Sequence, residues 1–341
     1  MKKFLIICVI IILIFSIYYI SFYKLGIYID FQPNKKPVTF VKTENKKIYL
    51  DKGNGYEEFE IKGVDLGAGI PGKFATDYAI DKETYKRWFK QIQEMGANTI
   101  RVYTILSNEF YDAFYEYNEN NKEPLYLIHG LWVDDYIQFS SRDAFDNEFL
   151  GKLLDDSKVL VDVLHGNRII SENNYFGNGK YKKDVSQWTI GYIIGVEWED
   201  VTVEYTNRMN EEKNSYQGKY MYTTEDASPF EAMLAEVGDK IIEYETKRYK
   251  EQRLVAFSNW PTTDPFDYSN EVTVYFRKIA KVDVEHIKTT QNVISGTFAS
   301  YHIYPYYPDY LSYDGYVEEC VDAERKYKYI LCIFEKSCRT S

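Results

Sequence analysis

Cysteine and histidine, the usual ligands of structural zinc, are scarce in this 341-residue chain, which has four of each. Cys8 lies in an apolar N-terminal run, whereas Cys320, Cys332 and Cys338 fall near the end. No CxxC or His/Cys ligand spacing occurs, so a zinc site is not expected, and no motif implies a cofactor. The spacing of Cys332 and Cys338 permits a disulfide but does not require one.

The chain also lacks an excess of positive charge. It has 41 Lys and Arg against 52 Asp and Glu, a formal net charge of −11. Binding to nucleic acid needs a basic face, so nucleic acid is not an expected partner. The same balance argues against a polybasic lipid-binding surface. Hydrophobic residues make up 45% of the chain, which is enough to bury a large core.

An uncharged run over residues 4–23 is about as long as a helix that crosses a bilayer. It has no small-x-small cleavage site at its end, and Tyr18 and Tyr19 are typical of a membrane interface. Lys2 and Lys3 favour a cytoplasmic N-terminus. We interpret the run first as an uncleaved single-pass anchor in the cell membrane, with a cleaved signal peptide as the alternative. Either interpretation exports the rest of the chain.

Strand and helix patterns alternate beyond residue 58. Asp81 can cap one helix, and a capping box with proline at the first helical position begins another at Ser228. Residues 188–196 are apolar throughout, as in a buried parallel strand. Strict alternation predicts an α/β fold with a parallel sheet, and six βα steps favour a barrel over an open Rossmann sheet. The predicted strands are 59–64, 98–103, 125–128, 188–196, 254–257 and 296–301.

The predicted helices cover 81–96, 108–117, 144–164, a segment from 228, a segment holding Tyr275, Ile279 and Val282, and 316–334. The expected organisation is a transmembrane anchor over 1–23, a stalk or linker over 24–58 with a short hairpin near 51–55, and a barrel over 59–341.

In a barrel of this type, the chemistry lies at the C-terminal ends of the strands. A carboxylate, an arginine, a histidine and several aromatic side chains follow the predicted strands. Glycosidases need carboxylates beside the scissile bond, and aromatic faces bind the apolar faces of sugars. The candidate residues are Asp65, Arg101, Tyr103, Trp132, Glu197, Trp198, Asn259, Trp260, His302 and Tyr304.

Four segments, 59–64, 96–103, 191–198 and 301–304, resemble the large clan of retaining glycoside hydrolases that includes β-galactosidase-like and cellulase-like barrels. The resemblance extends over about 59–310 and implies a TIM (β/α)8-type barrel that acts on an oligo- or polysaccharide. It implies roles for individual residues as well: Glu197 as general acid/base, Arg101 as orienter of the nucleophile, His302 and Tyr304 as supports of the carboxylates, and Asp65, Tyr103, Trp132, Trp198, Asn259 and Trp260 as sugar-binding residues.

Some of these residues also have interpretations that involve no role in catalysis or sugar binding. Glu197 is alternatively a surface glutamate, since Glu199 and Asp200 follow closely, and His302 is alternatively a satisfied core histidine. For any single tryptophan in the set, core packing is the safer interpretation.

The sequence departs from the clan at two points. Val196 replaces the asparagine that usually precedes the acid/base glutamate. The nucleophile should end a seventh strand, but Glu335, after the apolar run 330–334, fits the end of a helix better. An incomplete barrel of about six βα units is therefore expected. A catalytically inactive protein that binds glycans, or that is associated with cell-envelope polysaccharide, is the alternative function.

Overall fold

The structure is a computed structural model that describes residues 2–171, 176–267, 270–275 and 278–302. The predictions for Tyr304, for Glu335, for the helix over 316–334 and for the three C-terminal cysteines lie outside these residues.

The described residues form eight α-helices and thirteen strands. The helices are α1 (Lys2–Tyr19), α2 (Lys82–Glu94), α3 (Asn108–Asn118), α4 (Asp135–Ser141), α5 (Lys152–Leu164), α6 (Asp200–Met209), α7 (Pro229–Tyr249) and α8 (Asn270–Tyr275). The strands are β1 (Val41–Glu44), β2 (Lys47–Asp51), β3 (Tyr56–Glu58), β4 (Gly63–Asp65), β5 (Thr99–Val102), β6 (Tyr126–Leu131), β7 (Arg168–Ile170), β8 (Gly179–Tyr181), β9 (Thr189–Ile194), β10 (Met221–Thr223), β11 (Leu254–Asn259), β12 (Ile287–Thr289) and β13 (Ser300–Tyr301).

The central sheet has six strands in the order β13-β11-β9-β6-β5-β4, and every neighbouring pair is parallel. The order runs in one direction without the reversal that marks a doubly wound open sheet. Right-handed crossovers between successive strands then place the helices on one face of the sheet. The sheet can curve so that its other face becomes concave. The predicted α/β fold with a parallel sheet is confirmed, as a half-barrel of six strands.

Local signals in the sequence place two of the helices correctly. Asp81 Oδ1 accepts a hydrogen bond from Thr84 N at 2.7 Å before α2, and Gly96, with φ +93°, follows the end of that helix. Ser228 Oγ accepts from Glu231 N at 3.3 Å, while Glu231 Oε2 accepts from Ser228 N at 2.8 Å. Each arrangement satisfies amide groups that a helix start leaves without intrahelical partners.

The predictions near the end of the described chain were less accurate. Of the helix predicted to hold Tyr275, Ile279 and Val282, Tyr275 lies in α8, but residues 278–283 are not helical. Val282 is buried, and its N–H donates to Thr263 O at 2.8 Å, so a tertiary hydrogen bond replaces the helical one. The sixth predicted strand, 296–301, is regular only at Ser300–Tyr301.

Part of the segment expected to be a stalk is folded against the half-barrel. Strands β1, β2 and β3 form an antiparallel sheet in which Val41 and Leu50 are completely buried. Thr43 N donates to Ser295 O at 2.9 Å, and Gln252 N donates to Val38 O at 3.0 Å. Because Gln252 lies two residues before β11, residues 38–58 cover the N-terminal edge of the central sheet. The domain boundaries themselves stay a prediction.

Helix α1 and the π-helical turn that continues it, together Lys2–Lys24, are long and apolar enough to cross a membrane. A signal sequence near an N-terminus has the same length and composition. None of the side chains of α1 is buried against the rest of the described chain.

Candidate active site

The predicted site residues that the structure describes follow, or lie at, the C-terminal ends of the parallel strands. Asp65 ends β4, Arg101 and Tyr103 lie at the end of β5, and Trp132 follows β6. Glu197 and Trp198 follow β9, Asn259 ends β11, Trp260 comes next, and His302 follows β13. This is the edge at which parallel α/β barrels carry their chemistry.

A rigid turn after β9 determines where Glu197 lies. Gly195 has φ +102°, a conformation that strongly favours glycine, and an added Cβ would overlap the Trp198 ring. Trp198 is fully buried, and its Nε1 donates to Ser258 O at 3.0 Å. Ser258 Oγ in turn donates to Val196 O at 2.8 Å. The backbone on both sides of Glu197 is therefore fixed, while 38% of the Glu197 side chain stays exposed.

His302 joins two of the predicted residues in one hydrogen-bonded chain. Its Nδ1 lies 2.9 Å from Glu197 Oε1, and its Nε2 lies 3.2 Å from Arg101 Nη2. A guanidinium group only donates, so Nε2 must accept from Arg101. The imidazole proton is thereby assigned to Nδ1, which donates it to the Glu197 carboxylate. Glu197 therefore accepts a hydrogen bond from a histidine whose tautomer is selected by Arg101.

Arg101 also extends the network toward β4, the edge strand of the central sheet. Its guanidinium carbon lies 4.9 Å from the centre of the Tyr103 ring, a cation–π distance. The Tyr103 hydroxyl donates to Asp65 Oδ2 at 2.9 Å. The Trp132 ring meets the Tyr103 ring edge to face, with centroids 6.0 Å apart. Aromatic surface and polar groups therefore alternate along this part of the edge.

The contact between Arg101 and His302 reports how strongly the sheet curls. Arg101 lies on β5 and His302 follows β13, which is four places away in the strand order. In a flat sheet, four spacings of about 4.8 Å would separate the strands by about 19 Å. Their side chains nonetheless meet at 3.2 Å. The sheet is curved around this face, and His302 reaches across the opening.

The remaining predicted residues divide between core and edge. Trp198 packs on Phe230, with ring centroids 5.1 Å apart, and presents no exposed face to a ligand. Asn259 is also buried, with 2% of its surface exposed. Trp260 and Trp132 are half-buried at the edge. Their sugar-binding roles stay predictions, and the arrangement favours the two half-buried tryptophans over Trp198.

Sequence reasoning missed the residues that fix the turn. Gly195 falls within the motif 191–198, but the motif indicates neither its role in the turn nor that of Ser258. A glycine directly after an uninterrupted apolar strand was the available signal for a sharp turn. No local signal identifies Ser258, because its hydrogen bond reaches residue 196 on a different strand connection.

Neither the protein-family models nor the curated proteins include a match to this chain. Among solved structures, the chain is similar to Bacteroides uniformis beta-glucuronidase 2 covalently bound to cyclophellitol-6-carboxylate aziridine, with a TM-score of 0.34 and 12% sequence identity. The alignment covers 63% of this chain and 19% of the beta-glucuronidase, so the chain spans only a small part of that enzyme's length.

Proposed function

We propose that this chain is a glycoside hydrolase-like protein whose site at the C-terminal edge of the sheet acts on O-glycosidic bonds of an oligo- or polysaccharide. The fold would be of the TIM (β/α)8 type. Residues 4–23 would anchor the chain in the cell membrane, with the folded part outside the cytoplasm. The supporting observation is the pair formed by Glu197 and His302, at 2.9 Å, on the rim of a curved parallel sheet.

Glu197 takes the role of general acid/base in this proposal. In a retaining reaction, one carboxylic acid protonates the glycosidic oxygen while a second carboxylate attacks the anomeric carbon, and the first group then activates water. His302 Nδ1–H binds Oε1 of Glu197 and so orients the carboxyl group for proton transfer. The second carboxylate is not assigned to any residue that the structure describes.

The residues around Glu197 are suited to holding a sugar. Arg101 places positive charge beside the pair and selects the tautomer of His302. Charged groups held in fixed positions stabilise developing charge without the cost of reorganising solvent. Tyr103 and Trp132 supply aromatic faces on the side toward β6, and Asp65 is a further hydrogen-bond acceptor for sugar hydroxyls.

A second candidate function is glycan binding without hydrolysis. The edge-to-face pair of Tyr103 and Trp132 favours it, since two nearly perpendicular rings, at 83°, give a sugar ring a platform and a wall. Val196, in place of the expected asparagine, is a further departure from a hydrolase site.

Hydrolysis of a panel of aryl α- and β-glycosides by the full chain and by Glu197→Gln tests the proposal. Loss of the acid/base should reduce kcat/KM by about 100- to 10,000-fold on the substrate that wild type hydrolyses. Glu199→Gln, two residues away, is the matched control and should retain activity. Activity that survives in Glu197→Gln would overturn the assignment. Saturable glycan binding without turnover in wild type would replace hydrolysis with the second candidate function.

A further inference from the structure

The segment that follows the apolar helix, residues 25–31, has no regular secondary structure and lies near the N-terminal edge of the sheet, beside the C-terminal end of α7; we call it the strap. Residues 26, 28 and 30 of the strap contact the folded domain. Gly26 O accepts from Arg248 Nη1 at 2.7 Å, the Arg248 guanidinium carbon lies 4.9 Å from the centre of the Tyr28 ring, and Asp30 Oδ2 lies 2.6 Å from Lys250 Nζ.

Four other residues of the strap are large, apolar and exposed to solvent; we call them the apolar row. Leu25 is 63% exposed, Ile27 60%, Ile29 70% and Phe31 86%. A group of large exposed apolar side chains marks a surface that meets another apolar phase. The contacts of residues 26, 28 and 30 hold the strap in place, so this row is presented on a fixed backbone.

Several lysines lie close to the strap. Lys35, Lys36, Lys219, Lys247 and Lys250 line one cavity of about 620 Å³ together with Asp30 of the strap. Lys250 pairs with Asp30, and Lys247 pairs with Glu243 on the same helix. The net charge of −11 therefore conceals a local excess of positive charge next to the helix end. Lysines near exposed apolar side chains are suited to anionic phospholipid headgroups above acyl chains.

The N-terminal helix indicates that a lipid bilayer would cover the strap. Lys2–Lys24, the helix suited to crossing a membrane, ends at the residue before the strap begins. Lys182 of the folded domain lies over the Tyr23 ring, 3.0 Å from its centre, at the end of that helix. A bilayer that held the helix would lie directly against the strap.

We propose that the strap lies in the lipid–water interface, with its apolar row immersed and the nearby lysines at the level of the phosphates. The N-terminal edge of the sheet then faces the bilayer, and the edge that carries Glu197 points away from it. This inference rests on the membrane-anchoring part of the proposed function and is independent of any hydrolysis.

Spin-label accessibility in the full chain tests this orientation. The chain is reconstituted in nanodiscs of phosphatidylcholine with phosphatidylglycerol, after its native cysteines are replaced by serine. Nitroxides are attached in Phe31→Cys and in Phe74→Cys, where Phe74 is 79% exposed in the loop after β4 at the opposite edge. The label at 31 should collide with a water-soluble nickel chelate roughly threefold less often than the label at 74, and more often with oxygen.

A third label, in Ile12→Cys inside the helix, separates two kinds of failure. A lipid-immersed label at 12 with a water-accessible label at 31 would overturn the strap inference alone. A water-accessible label at 12 would overturn the anchoring part of the proposed function, and the strap inference with it.

The charge contribution is tested in the same nanodiscs with Lys35→Gln and Lys36→Gln. Each substitution should reduce the immersed fraction of the label at 31 by up to about fivefold in anionic lipid, and not in phosphatidylcholine alone. Lys90→Gln on α2 is the control for an exposed lysine elsewhere. Unchanged immersion in anionic lipid would overturn the assignment of the lysines to headgroups.

Discussion

Two histidine–carboxylate pairs, at opposite ends of the sheet, have the same 2.9 Å separation. His302 and Glu197 lie at the C-terminal edge, with 11% and 38% of their side chains exposed. His165 and Glu245 lie near the N-terminal edge, with 3% and 1% exposed. The atoms of the two pairs are equally close, so the surroundings must determine what each pair does.

The buried pair belongs to a compensated charge network. Arg253, which is itself buried, contacts Glu245 and donates to Glu251 Oε2 at 2.6 Å. His165 stacks on Tyr249 with ring centroids 3.7 Å apart. Burial, together with the nearby cations Arg253 and Arg248, holds the pKa of His165 well below its usual value. His165, Glu245 and Glu251 have the side-chain types of a metal site, but Arg253 already supplies the positive charge between the two carboxylates.

The comparison separates a structural role from a functional one. The His165–Glu245 pair is buried and its charge is compensated, so it cannot exchange protons with a ligand. The His302–Glu197 pair at the rim has an exposed carboxylate.

Glu245→Gln should lower the free energy of unfolding by about 3–5 kcal/mol, because it leaves Arg253 buried with less compensating charge. Glu243→Gln on the same helix is the control. Glu243 pairs with Lys240 and Lys247 at the surface, and its loss should cost less than about 1 kcal/mol. Urea denaturation measures both variants. Equal destabilisation by the two would mean that the buried network adds nothing to stability.

His302→Gln should reduce kcat by up to about 100-fold while KM stays within about twofold, because Glu197 loses the group that positions it. Its free energy of unfolding should change by only about 0.5 kcal/mol. His165→Gln should show the opposite pattern, with lower stability and normal turnover per folded molecule. Steady-state kinetics and denaturation of both variants are the measurements. Normal kcat in His302→Gln would show that the histidine only fills space.

The smallest effect is expected at His286, whose Nδ1 lies 2.7 Å from Glu231 Oε2 with 28% of the His286 side chain exposed. The hydrogen bond to Glu231 raises the pKa of His286 above its usual value. The folded state therefore holds this proton more tightly than the unfolded chain. The stabilisation is complete below a pH of about 6.5 and is lost as the pH rises through the raised pKa.

Denaturation of wild type and His286→Gln from pH 5.5 to 8.5 measures this contribution. The difference in stability should be at most about 1 kcal/mol and should shrink as the pH rises. His165 has the opposite sign, since its lowered pKa makes the folded state lose stability as the pH falls below about 6.5. Lys288→Gln, at an exposed ion pair near His286, should show no such trend. A difference that grows with pH would contradict the assignment for His286.

Local sequence signals predicted the elements that depend on local interactions. The caps at Asp81 and Ser228 and the apolar strand β9 were predictable because their determinants lie within a few residues. The β10–β12 pairing was missed because Met221 and Thr289, which lie opposite each other, are far apart in the sequence. The predicted helix does not include Val282, because the Val282 N–H donates to Thr263 O, which belongs to a distant part of the chain.

The candidate site divides in the same way. Strand ends indicated Glu197, Arg101 and His302 as neighbours of one edge. The orientation of the nearby Trp198 side chain depends on the positive φ of Gly195. A pattern of apolar residues does not encode that backbone angle. The contact between Arg101 and His302 depends on curvature accumulated over the whole sheet.

The turn after β9 has a consequence for altering this protein. Gly195 and Trp198 fix each other, and Ser258 binds the carbonyl between them. The backbone at residue 197 is therefore held by contacts that do not involve the side chain of residue 197. An imidazole, an amide or a thiol installed there would be presented from the same place, so this position suits the engineering of new chemistry on an unchanged scaffold.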